Sequence, residues 1–147
     1  MGFVNLLVGA IHTYNTDFDR MITSNDKLVR INLLYIWYIP EQDVFSASWL
    51  FNHKVETAGV FADFLSGTHA LLSYCLVPTM LSLPISNTMN TTQGSFVYLG
   101  SLNIVDGVMT TYPTGSFNTS EISYLFDQAN LVYSNGNSEI LFDASPN

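Results

Sequence analysis

After Lys54 the sequence contains no lysine or arginine. Its four cations, Arg20, Lys27, Arg30 and Lys54, precede a stretch of acids, amides, hydroxyls and aromatics. Charged residues make up 11% of the chain, against about 25% in an ordinary globular protein. The formal net charge is −8. Nucleic acid is excluded as a partner on this ground, because phosphate neutralisation by Lys and Arg supplies most non-specific affinity. An anionic membrane surface is disfavoured for the same reason.

Cysteine is nearly absent too. Cys75 stands alone, so no intrachain disulfide can form. It lies in an apolar run, where a free cysteine behaves as a small buried hydrophobe. A reactive thiolate there would need a neighbouring cation. The start, Met1-Gly2-Phe3-Val4-Asn5-Leu6-Leu7, lacks the positive n-region of a signal peptide, so none is expected and the compartment stays open. Two glycosylation sequons begin at Asn90 and Asn118, and they matter only in a secretory setting. G-x-S-x-G, G-x-G-x-x-G, P-loop and H-E-x-x-H motifs are all missing.

What the chain does have is apolar residues, 48% of 147, with 14% aromatic. That length and composition suit a single soluble domain, 1–147. Phe3 to Tyr14 reads as a strand and Asn15 to Lys27 as a polar turn region. Leu28 to Ile39 and Asp43 to Phe51 both alternate at period two, with Phe45, Ala47, Trp49 and Phe51 on one face. Pro40-Glu41-Gln42 between them predicts a β-hairpin over 28–51.

From Lys54 to Leu76 the apolar residues recur at helical spacing (Val55, Ala58, Phe61, Ala62, Leu65, Leu72), predicting one long buried helix. A membrane span over Ala58 to Ile85 is not expected, because Asp63 and His69 fall inside it and Pro78 and Pro84 interrupt it. Ser86 to Gly94 reads as a loop. Ser95 to Val105 and Val108 to Tyr112 read as strands of a second hairpin turning at Asp106-Gly107. Asn118 with Glu121 resembles a capping box that opens a shorter helix, closed at Asn135-Gly136. Ser138 to Asp143 is a last strand. The predicted class is α+β, an antiparallel sheet from two hairpins and flanking strands, with helices on one face.

Few residues suggest chemistry. Asp17-Phe18-Asp19 is a D-x-D pair, but no basic pocket for a diphosphate accompanies it, and a solvated turn explains it better. His53, Glu56 and Asp63 fall on one side of the expected long helix and could bind a metal. The plainer reading is a wet helix face with acids near its N-terminus. His69 sits on the apolar stripe, where a satisfied, buried imidazole is the usual explanation. His12 carries less information still. Trp37, Tyr38 and Trp49, with neutral amides nearby, could line a carbohydrate groove, but core packing in the hairpin is the preferred explanation of Trp37 and Trp49.

No catalytic, metal or cofactor residue is therefore assigned, and an enzyme using a histidine and a carboxylate ranks below two other functions. The leading expectation is a non-enzymatic structural subunit of virion, tail or surface-fibre type. It would assemble with itself or other protein subunits through a charge-poor, aromatic surface and exposed sheet edges. The alternative is a module that binds a small neutral ligand or carbohydrate.

Overall fold

The computed structural model describes residues 38–75, 82–88, 90–91, 93–112 and 115–144. Nearly all of them belong to the compact unit Ile39–Asn147. The strand expected at Phe3–Tyr14, the turn at Asn15–Lys27 and most of the strand at Leu28–Ile39 lie outside these residues. So do His12, Asp17, Asp19 and Trp37.

Helix α1 spans Glu41–His53, where the second strand of the first hairpin was expected. Pro40 opens it, its carbonyl accepting from the N–H of Asp43 (2.9 Å) and Val44 (3.1 Å). Glu41 and Asp43 fall in the first turn and His53 in the last, the charge order that suits a helix dipole. The buried residues are Asp43, Ser46, Ala47 and Leu50, spaced i, i+3, i+4 and i+7. Phe45 and Phe51 are exposed. The aromatics that produced the period-two pattern are thus not the residues that α1 buries.

The expected long helix is likewise broken. Strand β1, Val60–Ala62, is fully buried. Asp63 follows it as the cap of a short helix α2, Phe64–Ser66, which runs on as a π-helix over Gly67–Cys75. Strand β2 is Ser82–Pro84 and β3 is Phe96–Leu99. After β3 the chain does not continue as a strand to Val105, as the hairpin pattern predicted. Gly100 caps helix α3, Ser101–Val105, and β4 covers Val108–Thr111. Gly107 supplies the positive φ (+66°) that the Asp106-Gly107 pair implied, but it joins a helix to a strand.

Strand β5, Gly115–Asn118, pairs with β4 as an antiparallel ribbon. At the expected capping box the Asn118 N–H donates to Glu121 Oε1 at 3.0 Å. The 3-10 helix Thr119–Ile122 and helix α4, Tyr124–Gln128, follow. Helical structure ends at Ala129, earlier than expected. The chain then enters β6, Asn130–Ser134, and turns through Asn135-Gly136 into β7, Glu139–Phe142. Here Gly136 (φ +90°) serves a strand-to-strand turn.

The class is α+β. The main sheet has the order β2-β1-β3-β7-β6 and is mixed: β1 runs parallel to β2 and β3, while β3–β7 and β7–β6 are antiparallel. Period two along its strands divides the core. Val60, Ala62, Phe96, Tyr98 and Ile140 meet α1 and the π-helix through Ala47, Leu50, Ala70, Leu71 and Cys75. Phe61, Val97, Leu99 and Leu141 meet Ile85, Met109, Ile122 and Leu125 in a second apolar cluster. Burial on both faces explains why β1 and β3 read as continuous apolar runs rather than alternating ones.

Candidate functional site

Parallel strands β1 and β3 both end in a cap and a helix start, which places Asp63 and Gly100 side by side at their carboxyl ends. Ligands of α/β sheets gather at such ends, where helix N–H groups face outward. In this protein the position is filled by the chain's own polar side chains.

Asp63 is the hub of that layer, only 2% exposed. Its Oδ1 accepts from the Ser66 N–H at 2.9 Å, an N-cap bond. Its Oδ2 accepts from Thr110 Oγ1 (2.6 Å), the Thr110 N–H (2.9 Å) and Asn103 Nδ2 (3.1 Å). Thr110 Oγ1 in turn accepts from the Leu65 N–H at 3.0 Å, and the Gly67 N–H donates to the Asp63 carbonyl at 2.9 Å. The first-turn N–H groups of Leu65, Ser66 and Gly67 are therefore all engaged. A phosphate or carboxylate arriving at this helix would meet a carboxylate already in place.

Asp43, from α1, closes the neighbouring end. Its Oδ1 accepts from the Ser101 N–H (2.8 Å) and Ser101 Oγ (2.7 Å). Burial pushes its carboxyl up from 3.8 to about 6, against the two Ser101 hydrogen bonds, and the Asp63 charge adds to the rise. Tyr98 donates its hydroxyl to the Asp43 carbonyl at 3.0 Å and lies 2.9 Å from Ser46 Oγ. Burial holds the Tyr98 phenol well above its ordinary range. Gly100 suits this crowding, since a Cβ there would sit 2.8 Å from Ser66 Oγ and 3.2 Å from Asp43 Oδ2 and force those side chains to shift. Asn103 Oδ1 reaches back to the Gly100 N–H at 2.7 Å.

Beside Asp63 opens a cleft of about 540 Å³, bounded by Phe64, Gly67 and Thr68 on one side and by Pro84–Ser86 and Thr110–Tyr112 on the other. Its wall is mostly apolar and one side is open to solvent. The rings of Phe64 and Tyr112 meet edge to face, 5.5 Å between centroids and 63° between planes. Tyr112 is 79% exposed. Thr68, Ser86 and Thr111 border the cleft; Thr68 Oγ1 donates to the Phe64 carbonyl at 2.7 Å, and Thr111 Oγ1 lies against Gly115. Among the described residues that line it there is no histidine, cysteine, lysine or arginine.

The residues singled out in the sequence do not gather. His53 is exposed at the end of α1, where its ring stacks on Trp49 (4.2 Å, 10° between planes) and Nδ1 lies 2.7 Å from the Trp49 carbonyl. Glu56 lies in the exposed turn that follows. Asp63 is buried two elements away, so the shared helix face expected for His53, Glu56 and Asp63 does not exist. Among the described residues no group of three His, Cys, Asp or Glu side chains could hold a metal ion. His69 is half-buried on the π-helix. Cys75 is fully buried, and burial pushes its thiol up to about 11.

Tyr38 is exposed, and Trp49 packs at 5.1 Å from Tyr133 as well as on His53, so Trp49 is not a free platform. Asn90 and Asn118 are both exposed. Asp43, Ser101, Asn103 and Thr110 were not singled out in the sequence, nor was the Phe64–Tyr112 pair. A short apolar run, Val60-Phe61-Ala62, followed by Asp63 with Ser66 three residues on, is a strand-to-cap signal that would have placed Asp63 correctly.

Among the described residues no helix is long and apolar enough to cross a membrane. No curated protein and no solved structure matches the chain. Residues 7–141 match the model of the DUF2206 family, whose description is predicted membrane protein, and the chain belongs to that family.

Proposed function

We propose that the chain is a non-catalytic binding domain for a small neutral ligand, seated in the cleft beside Asp63. The observation that carries this reading is the cleft's lining among the described residues: a mostly apolar wall, two aromatic rings, serine and threonine at its border, and one carboxylate consumed by internal hydrogen bonds. Small-molecule sites have this make-up, mostly apolar with a few placed polar groups, in volumes of about 300–1,000 Å³. The engaged N–H groups of Leu65, Ser66 and Gly67 and the shortage of cations disfavour an anion, and the carboxylate beside Thr110 Oγ1, that of Asp63, is buried and already accepts four hydrogen bonds.

A fragment screen by ligand-observed NMR on the full chain tests it. Neutral fragments are expected to bind, and Ser86→Trp, which fills the mouth of the cleft, is expected to abolish their binding. Fragments that bind Ser86→Trp unchanged would place the site elsewhere and refute the reading.

A second reading, assembly with itself or other protein subunits, is favoured by a different observation. Among the described residues β6 is an outer strand of the sheet, with Leu131 and Val132 exposed, the arrangement that invites pairing with another chain. This reading concerns assembly as such, whether in a virion, a fibre or a membrane complex. Light scattering coupled to size exclusion separates its outcomes: ordered oligomers support it, and a stable monomer at high concentration contradicts self-assembly.

A further inference from the structure

We propose that the ligand of the cleft is a neutral hexopyranose residue, stacked on the corner formed by Phe64 and Tyr112. The proposal rests on the neutral-ligand reading above and narrows it to one chemical class. Three features of the site favour this class over other neutral molecules.

The first is the openness of the cleft. A wholly apolar ligand would leave much of its surface in water on the open side, forfeiting the area-dependent gain that would hold it. A ligand with one apolar face and a hydroxylated rim loses nothing there. A pyranose ring is such a molecule: its axial C–H bonds form an apolar face, and its hydroxyls project around the edge.

The second is the aromatic corner. Phe64 and Tyr112 meet at 63°, and Tyr112 remains 79% exposed although it borders an apolar cavity. Aromatic rings carry a negative face that attracts weakly positive C–H groups, and large flat rings supply contact area at low entropic cost. An exposed tyrosine at the mouth gives such a face to a ring entering from solvent.

The third is the polar complement. Thr68 Oγ1 has its proton committed to the Phe64 carbonyl, so toward the cleft it acts as an acceptor. The Ser86 hydroxyl can donate or accept. Neutral hydroxyl donors and acceptors at a rim match sugar hydroxyls, which also do both. Asp63 sits at the base with its oxygens engaged, in a chain of net charge −8. Uronic acids and sugar phosphates are therefore disfavoured relative to neutral hexoses.

The test is an amide NMR titration of the full, isotope-labelled chain. The probes are the methyl glycosides of glucose, galactose, mannose and N-acetylglucosamine, with methyl glucuronide as the anionic control and cyclohexanol as a neutral apolar one. At least one neutral glycoside is expected to shift the amides of Gly67, Thr68, Ser86 and Thr111 saturably. Tyr112→Ala is expected to weaken that binding at least about tenfold, and Tyr112→Phe to change it less than about twofold, since the ring face is what binds. Tyr112 is too exposed for its truncation to unfold the chain, and unchanged amide shifts outside the cleft verify this.

Cyclohexanol binding without any glycoside binding overturns the hexose proposal and leaves the neutral-ligand reading standing. Methyl glucuronide binding as tightly as the neutral glycosides overturns it as well, as does glycoside binding that survives Tyr112→Ala. Failure of every probe to shift the cleft amides overturns both.

Discussion

Replacing Asp43 with asparagine removes a carboxyl whose burial leaves a measurable signature in the pH dependence of stability. In the folded chain that carboxyl is pushed up from 3.8 to about 6. In the unfolded chain it titrates at its ordinary value. Between pH 4 and 6 the folded state therefore binds the proton that the unfolded state has released. Stability falls as pH rises whenever the folded state binds more protons. The contribution of Asp43 is thus most favourable below pH 4, declines through pH 4–6 and is fully lost above 6. At about 1.4 kcal/mol per pH unit, the total is at most about 3 kcal/mol. Asp43→Asn keeps an oxygen to accept from the Ser101 N–H and Oγ, and it carries no charge at any pH.

Urea denaturation of both proteins at half-unit steps from pH 4 to 7 supplies the comparison. The other acids titrate in both proteins, so the difference between the two stability curves isolates Asp43. Wild type is expected to lose about 2–3 kcal/mol relative to Asp43→Asn across this range. Parallel curves, or a difference that grows in the opposite direction, would refute the assignment of Asp43 as a buried, desolvated carboxyl.

Other outcomes follow from the same polar layer. Asp63→Ala strips the acceptor from the Ser66 and Thr110 N–H groups, Thr110 Oγ1 and the Asn103 amide. A loss of about 3–5 kcal/mol in chemical denaturation is expected, and a loss below about 1 kcal/mol contradicts the hub role. Gly100→Ala drives a Cβ toward Ser66 Oγ and Asp43 Oδ2 and is expected to cost about 1–3 kcal/mol by the same measurement. Cys75 is fully buried with its thiol pushed up to about 11, so a thiol reagent at pH 8 is expected to label the folded chain at least about a hundredfold slower than the chain in urea. Rapid labelling of the folded chain contradicts that burial.

Much of the fold was legible where local signals act alone. The Asn118–Glu121 cap, the helical stretch through Leu65 and Leu71, the final strand and the described part of the Ser86–Gly94 loop are all present near their expected places. One cause of error is tertiary contacts overriding hydrophobic period. Helix α1 buries Asp43 and Ser46 because Ser101 and Tyr98 satisfy them, and leaves Phe45 and Phe51 outside. A pattern that assumes aromatics inside reads such a helix as a strand.

Strand β1 is three residues long, too short for any period, and its apolar neighbours absorbed it into a helical pattern. The candidate site was less legible still. Asp43 and Ser101 are 58 residues apart, as Asp63 and Thr110 are 47 apart, and no local spacing announces pairs made by neighbouring strand ends. Only Asp63 carried a local signature, its N-cap relation to Ser66.

The direct test of a cleft built for neutral ligands is a matched pair. A neutral fragment that binds the full chain is titrated alongside the carboxylate analogue of the same shape, at low salt. The neutral member is expected to bind at least about tenfold more tightly, because the Asp63 carboxylate repels an anion, the N–H groups of Leu65, Ser66 and Gly67 are engaged, and no lysine or arginine is among the described residues that line the cleft. Equal or tighter binding of the carboxylate would contradict the account.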